Sequence, residues 1–79
     1  MAQIDINNFE KKIKEKNSIQ GKINSSYSVF DINGEKYFQI DMYGSSDRQI
    51  PGKTSQTIQF DKNAAKKIIE ILSKEFNIS

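Results

Sequence analysis

The side chains best suited to binding chemistry lie between residues 37 and 60. Two segments in which polar and apolar residues alternate, 37–43 and 54–60, flank a polar loop with an arginine, a lysine and a Pro-Gly turn. Tyrosine rings stack on flat partners, arginine and lysine bind anions, and amides and hydroxyls form hydrogen bonds. The candidate binding residues in these segments are Tyr37, Gln39, Tyr43, Arg48, Lys53, Ser55, Thr57 and Gln59.

The composition argues against catalysis. The chain has no cysteine and no histidine, which removes the commonest general base, the nucleophile pairs that depend on it, and cysteine-based metal sites. The ten acidic residues are scattered along the sequence, so no carboxylate cluster is evident. We therefore predict a non-enzymatic protein with no catalytic residue, no metal site and no cofactor.

Length and charge indicate one small domain, residues 1–79, with a mild positive charge of +2. Five of its cations lie within residues 48–67, where Asp61 is the single acid, so the loop, the third strand and the start of the last helix form a basic band. No apolar run approaches a membrane span and no secretory signal is visible, which predicts a cytoplasmic protein with no membrane partner. The bias toward Ile, Lys and Asn is typical of AT-rich bacterial and phage genomes.

The N-terminal third is predicted to begin with a short helix over residues 7–16. Asn7 or Asn8 can cap it, and Phe9 and Ile13 fall on one side, which would dock on a sheet. Residues 17–25 fit either an edge strand or a loop, and the sequence leaves this open.

A β-hairpin over residues 26–43 is the clearest local prediction. Asn33-Gly34 is the preferred pair for a two-residue type I′ turn, because both positions need positive φ. The turn sets Phe30 opposite Tyr37 and Val29 opposite Phe38, and opposed residues share a face. We call one side the apolar face: Tyr27, Val29, Phe38, Ile40, Met42, Ile58 and Phe60. The other is the polar face: Ser28, Phe30, Ile32, Tyr37, Gln39, Asp41, Tyr43, Ser55, Thr57 and Gln59.

A third strand over residues 54–60 is followed by a C-terminal helix over residues 62–76. Asp61 is its predicted N-cap, and apolar residues recur at helical spacing from Ala65 to Phe76. The predicted fold is α+β: an antiparallel sheet of three or four strands, a short N-terminal helix, and the C-terminal helix packed on the apolar face.

Each candidate group also has an ordinary structural explanation. Antiparallel sheets often leave one face in water, so Gln39, Thr57 and Gln59 need no ligand. The N-terminal helix could cover the aromatic groups of the polar face with Phe9 and Ile13, and Arg48 could simply keep an exposed loop soluble.

From about Tyr27 to Phe76, the order of elements resembles the single-stranded-DNA-binding transcriptional coactivators known as the positive cofactor four family. The matching segments are 40–43 at the end of a strand, Pro51-Gly52-Lys53 as a basic turn, 57–61 as a strand leading into the helix, and the helix itself. The resemblance implies a curved sheet, dimerisation through the helix, and single strands bound across the exposed sheet face, with Lys53, Arg48 and Tyr43 in contact. The chain departs from the pattern at Thr54 and Ser55, where the family has further lysine and glycine, and in its N-terminal helix, where the family has a strand.

Together these features predict a small nucleic-acid-binding module, with a homodimer as a further expectation. Arg48 and Lys53 would neutralise phosphates, Tyr37 and Tyr43 would stack on bases, and Gln39, Ser55, Thr57 and Gln59 would offer hydrogen bonds. The rival hypothesis is a protein-interaction module, such as a phage or plasmid inhibitor or an accessory domain, that uses the same aromatic face. A third possibility is a chain whose own helices hide both faces.

Overall fold

The computed structural model describes residues 1–44 and 54–78. Its elements are β1 (Ala2–Gln3), a 3-10 turn (Ile6–Asn8), β2 (Ser25–Ile32), β3 (Glu35–Tyr43), β4 (Thr54–Phe60) and α1 (Lys62–Glu75). The strands form one sheet in the order β1-β4-β3-β2. The α+β class is confirmed.

The β2–β3 hairpin has the register that its turn predicts. Asn33 and Gly34 have φ of 52° and 82°, the left-handed values of a type I′ turn. Val29 pairs with Phe38 and Phe30 with Tyr37, and β4 pairs antiparallel with β3 on the other side. A bulge follows Met42, because Met42 pairs with Gln56 and Tyr43 with Thr54.

The sheet is mixed, so the prediction of a purely antiparallel sheet is wrong. Ala2 pairs with Ile58 and Gln3 with Gln59 in parallel register, which makes β1 the fourth strand. The sequence did not predict β1, because a strand of two residues is too short to show alternating polar and apolar side chains. Its parallel partner β4 is also far along the chain, so no turn sequence joins the two strands.

The predicted N-terminal helix over residues 7–16 is also wrong. Asp5, and not an asparagine, caps a single 3-10 turn: its Oδ1 accepts from the Asn7 backbone N–H at 3.0 Å. Phe9 is extended at φ −118° and ψ 104° and ends the turn. A ten-residue helix is marginal in water without packing, and Ile13 is 92 % exposed, so it makes no such packing. Residues 17–24 form no strand either.

Helix α1 lies on the apolar face. The Asp61 carboxylate caps it by accepting from the Ala64 backbone N–H at 2.8 Å, and Phe38 and Phe60 line a groove of about 830 Å³ together with Ala65 at its start. The helix contacts β3 and β4, but no Cα of α1 lies within 8 Å of a Cα of β2. The apolar face is therefore covered on two strands and open on β2.

The core of the described residues is small. Ala64 is the only one of them that is fully buried, while Tyr27 and Val29 of β2 are 70 % and 52 % exposed. The accessible surface is 7350 Å², whereas a compact monomer of 9.1 kDa exposes roughly 4900 Å². A single chain thus exposes more surface than a compact domain of its mass, and residues 7–29, all of which are exposed, contribute to this excess.

Candidate functional site

The polar face is the candidate site, and no described helix lies over it. The 3-10 turn Ile6–Asn8 contacts α1, which lies on the apolar face. The alternative in which an N-terminal helix covers part of the polar face therefore does not hold for the described residues, where that helix is a single 3-10 turn. Tyr37 and Tyr43 are both partly exposed.

A pair of stacked rings occupies the hairpin end of the polar face. Phe30 and Tyr37 face each other across β2 and β3, with ring centroids 5.6 Å apart and ring planes at 24°. Tyr37 lies beyond the end of the β3–β4 pairing, which begins at Phe38, so no β4 residue stands next to it. We call Phe30 and Tyr37 the ring pair.

Glu35 raises the pKa of Tyr37 above its ordinary value. The neutral phenol donates a hydrogen bond to Glu35 Oε2 at 3.0 Å, the carboxylate charge opposes a phenolate beside it, and partial burial acts in the same direction. The neutral phenol is thus the form that the folded protein favours. The hydrogen bond from Tyr37 to Glu35 is present at pH values below the ordinary tyrosine pKa. It is lost as the pH rises through the raised pKa of Tyr37.

Removing the Glu35 carboxylate should lower the pKa of Tyr37. We expect Glu35→Ala to shift the ionisation midpoint of the Tyr37 ring, followed by NMR, down toward the ordinary tyrosine value, because both the acceptor and the charge are gone. Glu10→Ala, which removes a distant exposed acid, should leave the midpoint in place. Equal midpoints in Glu35→Ala and the wild type would contradict this assignment.

A row of polar side chains crosses the middle of the same face. Gln59 Nε2 donates to Gln39 Oε1 at 2.8 Å, Gln39 Nε2 donates to Asp41 Oδ1 at 3.1 Å, and Thr57 Oγ1 donates to the same oxygen at 2.7 Å. We call these four residues the amide row. Its members are already bonded to one another, so a ligand would compete for these bonds or use the acceptors that remain.

The far end of β3 holds the remaining described candidates. Tyr43 OH and Ser26 Oγ share a hydrogen bond of 2.6 Å, and Ser55 Oγ donates to the Met42 carbonyl at 2.9 Å. Tyr43 lies six residues from Tyr37, or roughly 20 Å along an extended strand. The two tyrosines therefore cannot contact the same small group.

The structure brings together some of the predicted site residues and leaves others apart. Gln39, Thr57 and Gln59 meet in the amide row, whereas Tyr37, Tyr43 and Ser55 lie at the two ends. Arg48 and Lys53 are outside the described residues. The sequence prediction omitted Phe30 and Asp41 from the site. Their signal was available, since Phe30 is paired with Tyr37 by the hairpin register and Asp41 is two residues from Gln39 on the same face.

The charged side chains on the described part of the polar face are Glu35 and Asp41, and both are acidic. No group of three acidic residues in positions 1–44 and 54–78 converges as a metal site would. The arrangement can stack and form hydrogen bonds, but it supplies no positive charge from these strands.

Comparisons with known proteins give no further guidance, because no family model, curated protein or solved structure matches the chain. The resemblance to the positive cofactor four family stays a prediction. Among the described helices, none is long and apolar enough to cross a bilayer.

Proposed function

We propose that the protein is a non-enzymatic module that binds single-stranded nucleic acid on the polar face. Unpaired bases present flat rings and hydrogen-bonding edges, and the polar face offers a ring pair next to a row of amides and hydroxyls. A duplex hides its bases in the stack and would use these groups poorly.

The observation that supports this proposal is the ring pair on an uncovered face. Aromatic rings that a fold leaves open on a wet sheet are suited to stacking, and base–aromatic stacking contributes about 1–3 kcal/mol per base. The Tyr37 side chain is also oriented before binding. Its ring stacks on Phe30, and its hydroxyl donates a hydrogen bond to Glu35. Little rotamer freedom is therefore lost on binding.

The test is a fluorescence anisotropy titration with labelled single- and double-stranded oligonucleotides at low salt. We expect the single strand to bind more tightly than the duplex, and Tyr37→Ala to weaken single-strand binding by roughly 5- to 100-fold, which corresponds to the loss of one stacked base. Tyr37→Phe keeps the ring and loses only the hydroxyl, so it should bind within about twofold of the wild type.

Two results would count against the proposal. Absence of binding to either oligonucleotide at the highest soluble protein concentration would rule out the function. Equal affinities for Tyr37→Ala and Tyr37→Phe would show that the ring pair does not contact the ligand.

We also propose that the chain works as a homodimer, joined through the apolar face at β2. Tyr27 and Val29 are exposed there, and α1 contacts β3 and β4 but not β2. The eight residues of β2 include one charge, Asp31, and no proline, so this edge lacks the usual features that prevent strand pairing. Two copies of β2 related by a two-fold axis can pair antiparallel edge to edge, which would bring the exposed apolar side chains of both copies together on one continuous sheet.

A different protein partner is the second candidate. The same exposed apolar side chains of β2 favour it, since exposed apolar groups in a cluster mark interaction surfaces. Salt separates the two functions: binding to phosphates weakens steeply as salt rises, whereas binding through an apolar face persists.

A further inference from the structure

Residues 12–23 form an exposed segment that is fixed at both ends, which we call the N-terminal arm. All twelve residues are exposed, and none belongs to a helix or strand. Just before the arm, Lys11 Nζ lies 3.6 Å from Glu75 Oε1 at the end of α1. Just after it, the Asn24 carbonyl accepts from the Tyr43 backbone N–H at 3.0 Å. These two contacts bracket the arm, and the arm itself is exposed along its whole length.

The arm concentrates the positive charge of the chain. It contains four lysines (Lys12, Lys14, Lys16 and Lys22) and one acid, Glu15, which gives a net charge of +3. Since the whole chain carries +2, the other 67 residues together carry −1. Among the described residues, none of these four lysines takes part in an ion pair. They are available for an anionic partner.

The arm ends beside the last residue of β3, at one end of the sheet. Tyr43 is the last residue of β3, and Asn24 leads directly into Ser25 and Ser26, where Ser26 bonds to the Tyr43 hydroxyl on the polar face. Ser26 is three positions after Ile23, so the arm joins the polar face within about 10 Å. A strand lying along the polar face toward Tyr43 would reach the arm.

We infer that the N-terminal arm binds the phosphates of the nucleic acid whose bases lie on the polar face. This inference rests on the proposed function and assigns its electrostatic part to residues outside the sheet. The described polar face has only Glu35 and Asp41 as charged groups, which repel phosphates, so a cationic element next to it is needed. The arm can contact phosphates without breaking a helix or strand, because none of its residues belongs to one.

The test compares two variants with the same change in charge. The arm variant replaces Lys12, Lys14, Lys16 and Lys22 by glutamine. The control variant also introduces glutamine, at four exposed lysines of the hairpin and α1: Lys36, Lys62, Lys66 and Lys67. Both lower the net charge equally, so any difference between them reports on location. Circular dichroism verifies that both are folded.

The measurement is single-strand affinity against salt concentration. Each phosphate contact contributes about 0.7 to the slope of log affinity against log salt, so four contacts contribute ~2.8. In the arm variant, we expect the slope of log affinity against log salt to be smaller in magnitude by about 2 to 3. We also expect binding at low salt to be roughly tenfold weaker or more. The control variant should keep the wild-type slope.

Each outcome decides between the two proposals. If the wild type binds and Tyr37→Ala weakens binding, but the arm variant keeps the wild-type slope, the inference fails and the proposed function stands. If the arm and control variants lose equal amounts of slope and affinity, the lysines act only through net charge, and the inference about the arm also fails. A wild type that binds no oligonucleotide overturns both, and arm-dependent binding to polyglutamate alone would assign the arm to an acidic protein instead.

Discussion

Replacing Phe38 by alanine should destabilise the protein by about 2–3 kcal/mol and leave much of it unfolded. Phe38 is the middle ring of three on the apolar face: its centroid lies 5.4 Å from that of Tyr27 and 5.9 Å from that of Phe60. Truncating a buried phenylalanine costs about 3–5 kcal/mol, and partial exposure reduces this value. Two ring contacts are lost as well, each worth about 0.5–1.5 kcal/mol.

The effect on folding is large because the core is small. With Ala64 as the only fully buried described residue, the apolar face has few other contacts that could compensate, and domains of this size have little stability to lose. Urea denaturation followed by circular dichroism at one protein concentration measures the change. Phe76→Ala is the matched control, because Phe76 is 68 % exposed at the end of α1. Equal losses in the two variants would show that the three rings do not hold the sheet together.

Val29→Lys should separate the proposed homodimer and lower the melting temperature sharply. A lysine at this position would place a charged side chain among the apolar side chains of the β2 interface, where desolvating it is costly. The wild type should sediment at twice the mass of the chain, and its melting temperature should rise with protein concentration, because the dimer is the folded species. The variant should lose both properties.

Ile32→Lys is the control for this prediction. Ile32 belongs to the same strand but to the polar face, and it is 55 % exposed. It introduces the same charge in the same strand but on the other face, so it should weaken the dimer much less than Val29→Lys does. A wild type that sediments as a monomer at high concentration, or two lysine variants that behave alike, would show that the apolar face of β2 is not an interface between copies.

The sequence was most informative where a local rule fixes the geometry. Asn33-Gly34 determines the register of β2 and β3, because only residues that tolerate positive φ form this turn. Asp61 marks the start of α1 for a similar reason, since its side chain satisfies a free backbone N–H there. From the register follows the division into two faces, and with it the placement of Tyr37, Gln39, Thr57 and Gln59 on one side.

The sequence predictions were wrong or incomplete where the structure depends on tertiary packing. The spacing of Phe9 and Ile13 fits a helix, but Ile13 is almost fully exposed and Phe9 is extended at the end of the 3-10 turn, so only the turn capped by Asp5 forms. The partial covering of the apolar face was missed for a geometric reason. A helix is about 10 Å across and strands are about 4.8 Å apart, so one helix covers two strands. The bonds of the amide row are side-chain contacts that residue spacing alone does not reveal.

The parallel pairing of β1 has a consequence for the order of folding. Ala2 pairs with Ile58, 56 residues later in the chain, whereas β2 and β3 are joined by a two-residue turn. Closing the long loop costs more entropy than closing the hairpin, and only two residues gain from it. We expect the hairpin to form first and β1 to attach last, so the sheet should open most easily at the edge beside Gln59. Amide protons there should exchange with solvent sooner than those between β2 and β3.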